Sequence, residues 1–162
     1  MSVITLETEI HAPAERVFDL ARSIDAHTAS TSKTGERAVA GRTSGLIELG
    51  ETVTWEATHF GVKQRLSVEI TELDRPKRFR DRMINGAFAH MDHVHLFEPT
   101  SSGTRMKDEF QFSAPLGIFG RIAEKLFLTG YMRNFLCERN AILKRMAESD
   151  EWREFLPEVN GY

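Results

Sequence analysis

The pattern of apolar and polar residues changes period several times along the chain. Residues 3–10 alternate apolar and polar side chains, as a half-buried β-strand does. From Pro13 to Ser23 the apolar residues recur at helical spacing, and proline suits the first turn of a helix. A second short helix is expected near residues 25–29. The first part of the chain therefore predicts one strand followed by one or two short helices.

The middle of the chain alternates over several short segments. Strands are expected at residues 52–57, 62–70, 78–84, 91–97 and 106–112. Short turns separate them, and one of these, Asn85-Gly86, is typical of hairpins. Five or six consecutive strands with short connections predict an antiparallel meander.

Helical spacing returns at Ile118 and continues to about residue 148. Gly120 and Gly130 are expected to mark bends in this long helix. An amphipathic helix and a curved sheet can each bury a face only against the other. The order of elements therefore predicts an α+β fold, in which a curved antiparallel sheet wraps around the C-terminal helix and leaves a cavity between them.

Composition and charge limit the class of protein. The chain has 162 residues and a net charge of −3, whereas nucleic-acid binders normally carry a basic excess. No apolar run approaches the ~20 residues of a membrane span, and residues 1–5 lack the features of a secretory signal. The single cysteine, Cys137, is expected to be buried on the long helix. We expect one soluble, cytoplasmic domain, residues 1–162, with a core at about 3–148 and a tail at 149–162, that does not insert stably into membranes.

Several short motifs occur in an order that resembles a known superfamily. They are residues 12–18 (APAERVF), 86–88 (GAF), 93–97 (HVHLF), 103–108 (GTRMKD) and 114–117 (APLG). Together they resemble the SRPBCC proteins, which include the START and birch-pollen-allergen-like helix-grip domains. The resemblance implies a helix-grip fold around an apolar pocket for lipids, sterols, polyketides or other hydrophobic small molecules. The region from Gly45 to Gly61 is similar to bacterial members, some of them described as polyketide cyclases or cell-division inhibitors.

The residues with the clearest potential chemistry lie on the last two predicted strands. His93 and His95 are two residues apart and therefore share a face. If the intervening turn pairs Phe97 with Met106, then His95 lies opposite Asp108. We therefore expect a His95–Asp108 pair inside the cavity, in which the carboxylate favours the charged imidazole. The pair could anchor a ligand, act as general acid and base, or fix the strand register.

Side chains on the same faces are expected to line the cavity around this pair. The predicted ligand-binding residues are Trp55, Asp81, Met83, Met91, His93, His95, Phe97, Asp108, Phe110, Phe112, Phe119, Leu126 and Phe127. Asp81 is either a second acid in the pocket or an outward-facing residue, because the Asn85-Gly86 turn leaves the register of its strand open.

The two histidines also have the spacing of some zinc ligands on a strand. His59, Asp81 or Asp108 could supply a third ligand beside His93 and His95. The apolar residues between these candidates fit a pocket better than a metal centre. We therefore expect no metal and no other cofactor.

The expected function is the binding of a hydrophobic small molecule, such as a lipid, a polyketide or an aromatic compound. One alternative is a cyclase, aromatase or dehydratase acting on a polyketide-like substrate, with His95 and Asp108 as its catalytic acid and base. A further alternative is a regulatory protein that binds a partner through an exposed face. A collapsed cavity and an apolar patch on the outside would favour this last function. The sequence is also compatible with a homodimer.

Overall fold

A seven-stranded antiparallel sheet forms the frame of the protein in a computed structural model, which describes residues 1–157. The strands β1 to β7 are Ser2–Ile10, Arg37–Gly41, Thr52–His59, Val62–Asp74, Arg78–Asn85, His90–Thr100 and Gly103–Ser113. Their order across the sheet is β1-β7-β6-β5-β4-β3-β2. The predicted meander is confirmed, and the short strand β2 extends it at one edge.

The helices follow the predicted order. They are α1 (Ala14–Ala21), α2 (Ile24–Ser30), α3 (Gly117–Ala123) and α4 (Thr129–Glu148). A π-helical segment, Glu124–Leu128, joins α3 to α4, so the long C-terminal helix is continuous but not regular. Of the predicted tail, residues 150–154 form a 3₁₀ turn, and residues 158–162 lie outside the described part of the chain.

The long helix faces the sheet with a stripe of buried side chains. Met132, Leu136, Leu143 and Met146 lie on this stripe, at the three- and four-residue spacing that a helix buries on one side. Cys137 lies on the opposite side and is exposed, so the prediction that it is buried is wrong. The sheet and the helix bury their apolar faces against each other, as predicted.

The short helices close one end of the space between sheet and helix. Phe18 of α1 is fully buried and packs edge-on against Phe79 and Phe97, with ring centroids 5.5 and 5.2 Å away. These three rings fill the interior at that end. The remaining space lies further along the sheet. Within residues 1–157, no helix is both long enough and apolar enough to cross a bilayer.

Candidate functional site

A cavity of about 280 Å³ lies between the sheet and α4. Apolar side chains form most of its wall, including those of Ile24, Val53, Trp55, Val68, Met91 and Met132. A space of this size and lining is near the lower limit of small-molecule sites.

Polar side chains from two strands and the long helix meet in one corner of the cavity. Asp81 of β5 pairs directly with His93 of β6, so both side chains lie on the inner face of the sheet. His95 follows two residues later on the same face, and Arg139 enters the corner from α4. The pairing with β6 therefore resolves the two alternatives for Asp81, which lines the cavity.

Asp108 of β7 lies behind the two histidines and connects them. The predicted register is confirmed, since Phe97 pairs with Met106 and His95 with Asp108. Asp108 Oδ1 lies 2.9 Å from both His93 Nε2 and His95 Nδ1. The first approach is a hydrogen bond, whereas the second is an ion-pair contact without hydrogen-bond alignment. Asp108 therefore holds both imidazoles, although the sequence predicted only the contact with His95.

Further hydrogen bonds complete the cluster. Asp108 Oδ2 accepts a hydrogen bond of 2.6 Å from Asn140 Nδ2 on α4. His95 Nε2 lies 3.1 Å from Asp81 Oδ2. Because an ionised carboxylate only accepts hydrogen bonds, His95 donates to Asp81 and His93 Nε2 donates to Asp108. His95 thus lies between two carboxylates, and one of them is fixed to the long helix.

The cluster shifts the pKa values of its two histidines in opposite directions. Burial lowers the pKa of His93, and the neighbouring charge of His95 lowers it further. Burial also opposes the charged form of His95, but the ion-pair contact with Asp108, the hydrogen bond to Asp81 and the charges of both carboxylates outweigh it and raise the pKa of His95. Burial likewise opposes ionisation of Asp108, yet the histidines hold its pKa well below the usual value. The environment therefore favours the neutral form of His93 and the charged form of His95.

Three of these side chains could also act as metal ligands. Asp81, His93 and His95 each offer one ligand atom, and these atoms lie within 4.8 Å of one another. Two imidazoles and one carboxylate form a donor set that suits several divalent transition metals. A metal on His95 would have to displace the proton that His95 donates to Asp81, and it would lie beside the positive charge of Arg139. His59 is not part of this group and lies 2.7 Å from the Tyr131 hydroxyl.

The structure places about half of the predicted ligand-binding residues in the cavity wall. The residues that line it are Trp55, Asp81, Met91, His93, His95 and Phe110. Trp55 faces inward as predicted and stacks on His27, with ring centroids 4.1 Å apart.

Four other predicted ligand-binding residues are not part of the cavity wall. Phe97 packs against Phe18 and Phe79 at the closed end. Phe112 is fully buried against Phe88, and Asp108 is screened by the two histidines. Met83 is half-buried near Gly86. Neighbouring side chains cover Phe97, Phe112 and Asp108, which the two-residue period of a strand does not reveal.

Three predicted cavity residues on the long helix lie on the outside instead. Phe119, Leu126 and Phe127 are 78%, 67% and 70% exposed. The prediction assumed regular helical spacing from residue 118 onward. The π-helical segment at 124–128 breaks this spacing. The spacing of buried residues in α4 therefore does not predict which side chains before the segment face the sheet.

Sequence reasoning missed the polar residues that α4 contributes. Arg139 and Asn140 occupy the buried stripe between Leu136 and Leu143, at helical spacing. Buried positions of such a helix are normally apolar, so a charged residue and an amide at two of them indicate a polar site in the interior. Glu36 was also missed, and it lines the cavity near the edge strand.

Comparisons with known proteins agree with this architecture. A sequence model of the family described as "polyketide cyclase / dehydrase and lipid transport" matches residues 1–148. Among curated proteins, none matches the chain in sequence.

Similar solved structures come from bacteria and plants. TTHA0849 from Thermus thermophilus has a TM-score of 0.74 at 24% identity, over 90% of this chain and 97% of that one. Major latex-like protein 151 from Panax ginseng has a TM-score of 0.68 at 13% identity, over 91% and 98%. A START superfamily protein from Mycobacterium smegmatis has a TM-score of 0.67 at 13% identity, over 90% and 97%. At these identities the likeness shows the fold, and the predicted helix-grip architecture is confirmed.

Proposed function

Because this chain belongs to the "polyketide cyclase / dehydrase and lipid transport" family, as its resemblance to SRPBCC proteins predicted, we propose that it binds a hydrophobic small molecule between the sheet and α4. The observation that carries the proposal is the cavity of about 280 Å³. Folded interiors are close-packed, and a void of this size sacrifices packing contacts throughout its wall. A ligand that fills it restores those contacts.

The composition of the wall indicates what kind of molecule is bound. Most of the wall is apolar, and the polar groups are concentrated in the corner formed by Asp81, His93, His95 and Arg139. This distribution suits a ligand with an apolar body and one polar end. Lipids, polyketides and aromatic compounds all meet this description.

Filling the cavity with protein atoms tests this function. Ala57 is buried on β3 and lines the cavity, so Ala57→Leu places three additional carbons in the ligand's space. We expect the neutral fluorophore N-phenyl-1-naphthylamine to bind the wild type saturably, and its affinity to fall about tenfold or more in Ala57→Leu. Ala141→Leu changes an exposed alanine on α4 and serves as the matched control. Absence of saturable binding, or equal affinity in Ala57→Leu, would contradict the proposal.

Acid–base catalysis is a second candidate function, favoured by the opposite pKa shifts of the two histidines. Adjacent groups whose pKa values are pushed apart often divide the roles of base and acid. Here His93 would accept a proton from a bound substrate and His95 would donate one. Asp108 has no contact with the cavity and would act as a positioning residue rather than a catalytic one.

Proton exchange on a model ketone tests this second function. 2-Tetralone in D₂O exchanges its α-protons for deuterium, which NMR follows directly. We expect the wild type to accelerate this exchange and His93→Gln to lose the acceleration, while His90→Gln, an exposed residue of β6, keeps it. Exchange no faster than in buffer alone would exclude this role for His93 on such ketones.

A further inference from the structure

Arg139 is a buried cavity residue that uses little of its hydrogen-bonding capacity. It lies on α4, is 4% exposed, and lines the cavity beside Asp81 and His95. A guanidinium carries five N–H donors and remains charged at all ordinary pH values. Buried arginines normally pair these donors with a carboxylate or with several carbonyl groups.

The partners of Arg139 within residues 1–157 are few and distant. Nη1 donates to Asn140 Oδ1 at 3.4 Å and lies 3.9 Å from Asp108 Oδ1. Nε is buried and has no hydrogen-bond partner. A buried donor without a partner destabilises the protein, whereas a ligand atom that accepts its hydrogen bond removes that penalty.

Asp108 is the nearest carboxylate, but its oxygens are already occupied. Oδ1 is in contact with both histidines, and Oδ2 accepts from Asn140 at 2.6 Å. The negative charge of Asp108 is thereby shared with His95. The charge of Asp81 also interacts with that of Arg139, but no hydrogen bond joins the two side chains, and the buried Nε of Arg139 has no hydrogen-bond partner within residues 1–157. An acceptor for Arg139 therefore has to come from the cavity.

We propose that the cavity selects a ligand with a carboxylate at the end of an apolar body, and that Arg139 binds this carboxylate. This inference rests on the proposed ligand-binding function. A carboxylate matches the planar fork of a guanidinium with two parallel hydrogen bonds, which a neutral carbonyl or hydroxyl cannot form. Arg139 then acts as the specificity-determining residue of the site.

Competition between two nearly isosteric compounds tests this selection. Naphthalene-2-carboxylic acid and naphthalene-2-carboxamide share an apolar body and differ in charge. We expect the acid to displace N-phenyl-1-naphthylamine from the wild type about tenfold more effectively than the amide does. Arg139→Met should abolish this preference, whereas Arg133→Met, at an exposed position of α4, should retain it.

The outcomes separate this inference from the function on which it rests. If the fluorophore does not bind the wild type, both are wrong. If it binds but the acid and the amide compete equally, the cavity binds hydrophobic molecules and the role of Arg139 is wrong. If Arg139→Met does not fold, two other measurements test the role of Arg139. They are the preference of the wild type for the acid over the amide, and the same preference measured in Arg139→Lys.

A different observation, on the outside of the molecule, supports a second proposal. Six large apolar side chains between residues 116 and 127 are 52–82% exposed, and we call them the α3 surface. They are Leu116, Ile118, Phe119, Ile122, Leu126 and Phe127. Apolar patches of this kind on soluble proteins mark interaction sites.

The charges within the α3 surface identify its partner. Arg121 and Lys125 are exposed. Glu124 is the only acidic residue between 114 and 130, and it is buried with hydrogen bonds from Ser2 Oγ and the Ala114 N–H. The exposed charges are therefore all positive, although the whole chain has a net charge of −3. A second copy of the chain would bring like charges together across a two-fold axis.

We infer that the α3 surface binds to an anionic lipid bilayer. Apolar side chains with interspersed basic residues are the pattern of a helix that lies in the membrane interface. Pro115 and Leu128, at the two ends of the segment, line the cavity, so the bound bilayer would lie beside the ligand site.

Sedimentation with lipid vesicles tests this surface on the full chain. We expect the protein to sediment with vesicles of equal phosphatidylcholine and phosphatidylglycerol, and to bind about fivefold more weakly for each of Arg121→Ala and Lys125→Ala. Phe119→Ser with Phe127→Ser should abolish binding, whereas Leu49→Ser, an exposed leucine before β3, should not. Equal binding of the double variant, no binding of the wild type, or a dimer that the double variant dissociates would each overturn the inference.

Discussion

At the scale of single residues, the cluster around His95 has the most unusual environment. His95 is buried between the carboxylates of Asp81 and Asp108, while its neighbour His93 donates a hydrogen bond to Asp108. The ring centroids of the two histidines are 3.8 Å apart, so a charge on one disfavours a charge on the other. The cluster therefore stabilises one charged and one neutral imidazole.

The opposite pKa shifts predict opposite effects of pH on stability. The pKa of His95 is raised, so its contribution to the free energy of unfolding is complete below about pH 6.5 and is lost as the pH rises through the raised pKa. The pKa of His93 is lowered, so its contribution is present above about pH 6.5 and is lost as the pH falls through the lowered pKa.

Urea denaturation of two variants across this range measures both effects. We expect the stability difference between the wild type and His95→Gln to shrink from about pH 6 to about pH 9. The difference between the wild type and His93→Gln should grow over the same range. His90→Gln controls for the loss of an exposed histidine. Two differences that change in the same direction with pH would contradict the assigned charge states.

At the scale of secondary structure, the sequence predicted the pairing of the last strands better than the faces of the helix. Strands alternate with a period of two, and the apolar pattern on β6 and β7 left one register that groups the large side chains. No comparable pairing with a neighbouring element fixes which residues of the long helix face the sheet. Phe119 lies before the π-helical segment and Leu126 and Phe127 lie within it, and all three are exposed. The strand β2 was missed because it is short and a bulge between Ala38 and Ala40 breaks its alternation.

The two glycines of the long helix have different structural roles. The sequence predicted a bend at each, whereas the irregular segment lies between them, at 124–128. A Cβ atom on Gly120 would lie 1.6 Å from the Pro115 carbonyl oxygen, so the chain before the helix packs directly on this glycine. A Cβ atom on Gly130 would meet nothing within 4 Å.

Alanine at each of these positions therefore has opposite consequences. We expect Gly120→Ala to lower the free energy of unfolding by about 2 kcal/mol or more, because the backbone must move to accommodate the methyl group. Gly130→Ala should raise it by about 1 kcal/mol, since alanine is the better helix former. Chemical denaturation compares the two variants under identical conditions. A stable Gly120→Ala would mean that the contact with Pro115 is not required.

At the scale of the whole molecule, the sequence predicted a cavity but not its complete wall. Its polar corner forms only when β5, β6, β7 and α4 are assembled, and the contribution of Arg139 depends on how the helix is rotated against the sheet. The face of Asp81 depends on register shifts between β4 and β5 near Ile70. Such features arise from the packing of elements that are distant in sequence, which local periodicity does not encode.

The most direct test of the account locates a bound molecule inside the protein. The methionines are natural probes, because Met91 and Met132 line the cavity whereas the buried Met106 and Met146 do not. With ¹³C-labelled methionine methyl groups and bound N-phenyl-1-naphthylamine, we expect nuclear Overhauser contacts from the aromatic protons to Met91 and Met132. Met106 and Met146 should show none. Contacts confined to Met1 or Met83, or no contacts despite saturable binding, would show that the cavity is not the binding site.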